Sequence, residues 1–130
     1  MKEKILVEVT VGKKILVADD EPAFVGLVDQ VLTQKGYDVL KASSGQEGLR
    51  LLFADKPDLV LLDVVMAKMD GWQTCQHIRD VSDIPIIMLT AIDLKLNLQL
   101  SKEIGADGYI TKPFNSRDLL DNIAHFLATA

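Results

Sequence analysis

The sequence predicts an α/β domain in which a parallel β-sheet is covered by helices on both faces. Strand and helix patterns alternate strictly from Lys14 onward, five of each, as is typical of parallel sheets. The runs at 59–62 and 85–89 are apolar at every position, which indicates strands that are buried on both faces. Right-handed crossovers between such strands bring the loops at their carboxyl ends to one edge of the sheet.

The first strand is predicted at 14–18, where apolar and β-branched residues follow one another. Pro22 suits the first turn of the next helix, whose apolar residues recur at steps of three and four. Gly36 is a typical residue for ending that helix, and 37–42 is the second strand candidate.

The second helix is predicted to begin at Ser44, because Glu47 follows at the spacing of a capping box. Pro57 ends this helix, and the buried strand at 59–62 comes next. Gly71 then leads into a third helix.

After the buried run at 85–89, a segment of helical length extends to Gly105. A short last strand is predicted at 109–110. Asn115 or Ser116 is expected to cap a final amphipathic helix.

Composition limits the function classes. The chain has 130 residues, a net charge of −5 and no basic run, which argues against nucleic-acid binding. Its single cysteine, Cys75, cannot form an internal disulfide, and its longest apolar runs are far below the roughly 20 residues of a membrane span. We therefore expect a cytoplasmic protein.

Chemically useful side chains follow four of the predicted strands. Asp19 and Asp20 follow the first strand, and Asp63 ends the third. Thr90 ends the fourth strand, and Lys112 follows the fifth. Ligands of open α/β sheets bind at this carboxyl edge.

Three carboxylates at one edge repel one another and require a cation. Oxygen ligands without cysteine or histidine suit Mg²⁺, and a metal beside an ammonium suits a phosphoryl group. A carboxylate can accept such a group as an acyl phosphate. A single aspartate at a strand end is more often a helix cap or a solvated turn, so the prediction depends on the convergence. A nucleotide site is disfavoured, since no glycine-rich loop follows the first strand.

Four motifs resemble the response-regulator receiver domain of two-component signalling, in its single-domain, chemotaxis-regulator-like form. They are ILVADDEP, LVLLDVVMAKMDG, PIIMLTA and GADGYITKPF, and the resemblance extends from Lys14 to the C-terminus. It implies a flavodoxin-like, doubly wound sheet of five parallel strands in the order 2-1-3-4-5 with five helices.

The resemblance also implies roles for individual residues. Asp63 would be the phosphoacceptor. Asp20 would bind Mg²⁺ (or Mn²⁺) directly, Asp19 directly or through water, and Asp63 and the Val65 carbonyl would complete the metal site. Lys112 would neutralise the phosphoryl oxygens. The Thr90 hydroxyl group and the Ala91 N–H would donate hydrogen bonds to the phosphoryl group. Thr90 would also move in the switch, and Tyr109 would be the aromatic residue that turns inward with it. The Lys112–Pro113 peptide would be cis.

The implied function is a signalling switch that catalyses its own phosphorylation and dephosphorylation. A histidine kinase or a histidine phosphotransfer protein would donate the phosphoryl group to Asp63. Phosphorylation would then shift a two-state equilibrium at the surface of the fourth helix, last strand and last helix. Two alternatives stay open: a phosphorylation-independent interaction module on the same fold, and a receiver that is part of a larger kinase or regulator.

The predicted fourth helix is unusual, because leucines alternate with polar residues over 94–100. On a helix, Leu94 and Leu98 would share a face away from the sheet. That face could dock a downstream protein or a second copy of the chain, or it could be a poorly formed helix with exposed leucines.

Residues 1–12 precede the domain, which we expect to cover 13–130. They repeat the KILV run of the first strand, and apolar residues alternate from Ile5 to Val11. In this fold the first strand has a neighbouring strand on each side, so residues 1–12 cannot pair with it as a hairpin. We expect a mobile extension or a strand added at a sheet edge.

Overall fold

The computed structural model describes residues 12–66, 70–90 and 105–129. Its strands are β1 (Lys14–Ala18), β2 (Asp38–Ala42), β3 (Leu59–Asp63), β4 (Ile86–Thr90) and β5 (Gly108–Thr111). Its helices are α1 (Pro22–Gln34), α2 (Gly45–Asp55), α3 (Gly71–Arg79) and α4 (Ser116–Thr129). The helix that the sequence predicts between β4 and β5 lies within 91–104, outside the described residues, and so do Ala91, Leu94 and Leu98.

The five strands form one parallel sheet in the order β2-β1-β3-β4-β5, which confirms the predicted doubly wound topology. β1 pairs with β2 on one side and with β3 on the other. Both edges of β1 are therefore occupied, and residues 4–7, which repeat its KILV sequence, lie outside the described residues.

Both faces of the sheet are buried, as the all-apolar strands predict. Every residue of β3 and β4 is buried. Two apolar clusters result, one beneath α1 and α4 and the other beneath α2 and α3. Since β3 and β4 contribute to both clusters, the sheet is held rigid between two helical layers, and its carboxyl edge is a fixed platform.

Local signals place the helix ends close to where the sequence predicts them. Pro22 is the first residue of α1, and Ser44 Oγ accepts the N–H of Glu47 at 3.1 Å at the start of α2. The Glu47 carboxylate, however, accepts from the Ser43 N–H at 3.3 Å, one residue before the position of a full capping box. At α4, Asn115 Oδ1 accepts the Asp118 N–H at 2.8 Å, which identifies the cap that the sequence left open.

Arg79, at the end of α3, joins that helix to the chain that enters β5. Its guanidinium donates to the carbonyl oxygens of Gly105 at 2.7 Å and Ile84 at 2.6 Å, and to Asp107 Oδ2 at 2.5 Å. The same Asp107 oxygen accepts the Ile86 N–H at 2.8 Å. This network fixes β5 beside β4, and so it fixes the position of the backbone at Lys112, which follows β5.

None of the helices in the described ranges is long and apolar enough to cross a membrane.

Candidate functional site

Three carboxylates meet at the carboxyl edge of the sheet, as predicted. Asp19 and Asp20 follow the last residue of β1, and Asp63 is the last residue of the adjacent β3. One carboxylate oxygen from each of the three lies within 4.8 Å of the others. Asp19 is 1% exposed and Asp63 is 6% exposed, whereas Asp20 faces solvent. The cluster is thus a buried pair of acids with a third acid at its mouth.

The Asp19 carboxylate is held on both oxygens. Its Oδ1 accepts the Glu21 N–H at 2.9 Å, and its Oδ2 accepts from Lys112 Nζ at 2.8 Å. Charge-assisted hydrogen bonds of this kind are short and strong, and they fix the orientation of the group. Asp19 therefore anchors the ammonium group of Lys112.

Lys112 spans the site from the end of β5. Its Nζ is 2.8 Å from Asp19 Oδ2 and 3.7 Å from Asp63 Oδ1, and its side chain is 17% exposed. The Lys112–Pro113 peptide is cis, as the family resemblance implies. The Lys112 N–H also donates to the Thr90 carbonyl at 2.7 Å, which ties the end of β5 to the end of β4.

The Asp63 carboxyl group is raised in pKa to about 6, first by burial and then by the negative charge of Asp19. The charge of Lys112 and the Val65 N–H, which donates to Asp63 Oδ1 at 3.2 Å, act in the opposite direction. The anion is thus under-compensated in the metal-free protein.

Two further predicted residues lie beside this cluster. Thr90 is 3% exposed at the end of β4, next to the β3 end that carries Asp63. Val65 follows Asp63 by two residues, and 63% of its surface is exposed. The role of the Val65 carbonyl as a metal ligand stays a prediction.

Tyr109 lies in β5 and packs against the cluster under α2 and α3. Burial raises the pKa of its phenol. Its hydroxyl group is buried and has no hydrogen-bond partner among the residues that the structure describes. The switching role that the family resemblance implies for Tyr109 stays a prediction.

Gly71 is a position packed against the Asp63 backbone that the residue patterns alone did not identify. An added Cβ at Gly71 would lie 2.1 Å from the Asp63 carbonyl oxygen and 2.7 Å from Val64 Cα. The Gly71 N–H donates to the Val64 carbonyl at 2.8 Å. Only glycine lets α3 begin directly against the backbone of Asp63. The signal in the sequence was its place at the end of the LVLLDVVMAKMDG motif.

The acidic cluster fits a hard divalent cation. Three carboxylates lie together beside the Lys112 ammonium, and burial, together with the charges of Asp19 and Asp20, raises the pKa of Asp63. Oxygen is the donor atom that Mg²⁺ prefers, and neither histidine nor cysteine joins this group within the described ranges. Asp20, Asp63 and Asp19 are the side chains that could hold the ion.

The titration of Asp63 should be visible in the stability of the metal-free protein. Its pKa in the folded chain is about 6, against 3.8 as the ordinary value. Between those two values the folded state retains a proton that the unfolded state has lost, so the contribution of Asp63 to stability falls as the pH rises. We expect the stability of the wild type relative to Asp63→Asn to decline from about pH 4 to about pH 6 and then level off.

Urea unfolding of both proteins across this pH range, in EDTA, measures that difference. A constant difference, or one that grows with pH, would contradict the raised pKa. Adding Mg²⁺ should weaken the decline, because a cation favours the ionised carboxylate.

Comparison with known proteins gives one family. The model of the family described as the response regulator receiver domain matches residues 15–124. The alkaline phosphatase synthesis transcriptional regulatory protein PhoP of Bacillus subtilis (strain 168) is 46% identical over 109 residues. That alignment covers 83% of this chain and 45% of PhoP, so the chain spans less than half the length of this curated relative.

Solved structures agree in fold. The Vibrio cholerae chemotaxis protein CheY4 is similar with a TM-score of 0.85 at 31% identity, over 89% of this chain and 99% of that one. A CheY-like receiver domain protein from Methanospirillum hungatei JF-1 has a TM-score of 0.85 at 33% identity, over 91% and 95%. The BeF3-activated N-terminal receiver domain of Klebsiella pneumoniae RstA has a TM-score of 0.84 at 33% identity, over 88% and 98%.

Proposed function

The chain belongs to the response regulator receiver domain family, and from that premise we propose that it is a phosphorylation switch whose acceptor is Asp63. The observation that carries the proposal is the convergence of Asp19, Asp20, Asp63 and Lys112 at the carboxyl edge of the sheet. Asp63 is the acid of this group that ends a strand buried on both faces. The other buried acid, Asp19, already accepts hydrogen bonds on both carboxylate oxygens, which favours Asp63 as the nucleophile.

In the proposed reaction, a carboxylate oxygen of Asp63 attacks the phosphorus of a phosphohistidine on the donor protein. The new O–P bond forms as the P–N bond breaks, and the released imidazole nitrogen takes a proton from solvent. The Val65 N–H, 3.2 Å from Asp63 Oδ1, orients the carboxylate for this attack. The product is an acyl phosphate.

Asp20, Asp63 and Asp19, with the Val65 carbonyl, would hold the Mg²⁺. When bound, the ion would supply positive charge that stabilises the transferred phosphoryl group. Lys112 would supply a second positive charge, since its Nζ already lies 3.7 Å from Asp63 Oδ1. Thr90, through its hydroxyl group, and Ala91, through its N–H, are the proposed hydrogen-bond donors to the phosphoryl group.

The proposed output is a shift between two conformations. Thr90 would move toward the phosphoryl group, and Tyr109 would turn to fill the space that it leaves. The Tyr109 hydroxyl group supports this, because it is buried without a hydrogen-bond partner among the described residues, and such a group is held less firmly in its position. The proposed readout surface consists of β5, α4 and the fourth helix that the sequence predicts within 91–104, outside the described residues.

The partners follow from the same chemistry. The phosphoryl donor is proposed to be a histidine kinase or a histidine phosphotransfer protein. The downstream target would be a protein, reached through the readout surface. The alternative that the chain is the receiver portion of a larger regulator is supported by its 45% coverage of PhoP, which is a transcriptional regulatory protein.

We propose the cytoplasm as its compartment, since its one cysteine, Cys75, is free.

Acetyl phosphate with Mg²⁺ tests the proposal without a partner protein. We expect the intact mass of the wild type to increase by one phosphoryl group. Asp63→Asn should gain nothing, and EDTA should abolish the gain in the wild type. Asp29→Asn is the matched control, because Asp29 lies on α1 in an exposed pair with Lys41 and should leave the gain unchanged. A wild type that gains no mass, or an Asp63→Asn variant that gains as much, would overturn the proposal.

A further inference from the structure

An aromatic ring lies directly against the ammonium group of Lys112. The Lys112 Nζ atom is 4.1 Å from the centroid of the Phe24 ring, which is presented by the first turn of α1. The Phe114 ring meets Phe24 edge-on, with centroids 5.6 Å apart and planes at 82°. Phe24 thus contacts the Phe114 ring and also presents its face to the lysine.

This arrangement places Lys112 between two kinds of negative potential. On one side are Asp19 Oδ2 at 2.8 Å and Asp63 Oδ1 at 3.7 Å. On the other is the electron-rich face of Phe24, which attracts a cation without offering it a hydrogen-bond acceptor. The ring can therefore hold the ammonium in place and leave its N–H groups to the carboxylates.

The energetic need for such a support is clear from the side chain itself. Lysine has a flexible four-carbon stem and loses considerable rotamer entropy when fixed. Lys112 keeps 17% of its side chain exposed beside an apolar cleft of about 360 Å³ that Leu27, Pro113 and the two rings also line. Without the ring, water would enter on this side, and the ammonium would have a hydrated alternative to the acids.

We propose that Phe24 is a positioning residue for Lys112 in phosphoryl transfer, acting through its ring face. This inference rests on the proposed function for its catalytic meaning. The placement of the lysine can be measured independently of it. The competing explanation is ordinary packing, since Phe24 also contacts the apolar cluster under α1. Packing needs an apolar side chain of suitable volume, whereas the proposed role needs an aromatic face.

The experiment compares Phe24→Leu with Phe24→Tyr and Phe24→Trp. The rate of phosphorylation by acetyl phosphate and Mg²⁺ is the functional readout, and no docking protein takes part. The second readout is the NMR chemical shift of the Lys112 ε-methylene protons, which a ring above them moves upfield. Leu27→Asn is the matched control, because Leu27 is 59% exposed in the same cleft and on the same helix. Circular dichroism verifies that each variant is folded.

We expect Phe24→Leu to be phosphorylated about fivefold more slowly and to lose the upfield shift. The tyrosine and tryptophan variants should remain within about twofold of the wild type and keep the shift, and Leu27→Asn should change neither readout. Leucine and tyrosine variants with equal rates would overturn the positioning role, as would a wild type without the upfield shift. A wild type with the shift but without phosphorylation would instead remove the proposed function. If Phe24→Leu does not fold, the Phe24→Trp variant decides. A phosphorylation rate equal to that of the wild type, with the upfield Lys112 shift retained, supports the proposal. A retained shift with a lost phosphorylation rate opposes it.

Discussion

Gly71→Ala is expected to lower the free energy of unfolding by roughly 3 kcal/mol or more. The added Cβ would lie 2.1 Å from the Asp63 carbonyl oxygen and 2.8 Å from its carbonyl carbon. These are backbone atoms in a strand buried on both faces, so the clash cannot be relieved by turning a side chain. Either α3 moves away from the sheet or the end of β3 is displaced. A domain of this size has only about 5–15 kcal/mol of stability, so the loss is a large part of the total.

The same substitution should also slow phosphorylation of the molecules that remain folded. Displacing the Asp63 backbone moves its carboxylate relative to Lys112, and positioning errors of about 1 Å can reduce rates by about 100-fold. Urea unfolding and the acetyl phosphate assay measure the two effects separately.

Gly26→Ala is the matched control for Gly71→Ala. Gly26 lies within α1, and an added Cβ there meets no atom within 4 Å. Alanine in an open helix interior should stabilise the protein by up to about 1 kcal/mol. If Gly71→Ala were as stable as the wild type, α3 could not begin as close to Asp63 as the structure places it.

The contrast between these two glycines illustrates what the sequence predicts and what it does not. The alternation of strands and helices, the sheet order, the cis Lys112–Pro113 peptide and the convergence of Asp19, Asp20 and Asp63 were all predicted, because each follows from a local pattern or from a motif. The need for Gly71 comes from a helix and a strand approaching in space, and no local pattern encodes that distance.

Long-range polar contacts were missed for the same reason. Arg79 donates to Gly105 and Asp107, which are 26 and 28 residues away, and nothing in the spacing of α3 indicates those partners. The ring of Phe24 over Lys112 joins the first helix to the last strand. Sequence patterns therefore identify the helices, the strands and the reactive side chains at the carboxyl edge of the sheet. The contacts that orient those side chains are visible only in the folded structure.

The rigid surroundings of the site explain how two carboxylates, Asp19 and Asp63, can be buried next to each other. Asp19 and Asp63 are buried side by side, and repulsion between them contributes to the raised pKa of Asp63. A rigid sheet holds both acids in place, so the repulsion is not relieved by movement. It is available instead to drive cation binding, and the free energy that a bound cation restores adds to the stability of the folded state.

Lys112→Met should therefore destabilise the metal-free protein by about 3 kcal/mol at neutral pH. Methionine is similarly long and unbranched, so the change removes the charge and leaves most of the packing. The Asp19 carboxylate, whose side chain is fully buried, would keep the Glu21 N–H but lose its only charged partner among the described residues. A buried anion left without its partner is far more costly than the loss of an exposed pair.

Mg²⁺ distinguishes this electrostatic explanation from a simple loss of packing. Removing the ammonium removes a competing cation, so saturating Mg²⁺ should stabilise Lys112→Met more than it stabilises the wild type. Lys41→Met is the matched control, because Lys41 pairs with Asp29 at 3.2 Å in an exposed position. That variant should lose no more than about 0.5 kcal/mol and respond to Mg²⁺ as the wild type does. Equal losses for the two lysine variants, or equal responses of Lys112→Met and wild type to Mg²⁺, would mean that Lys112 does not neutralise the acidic cluster.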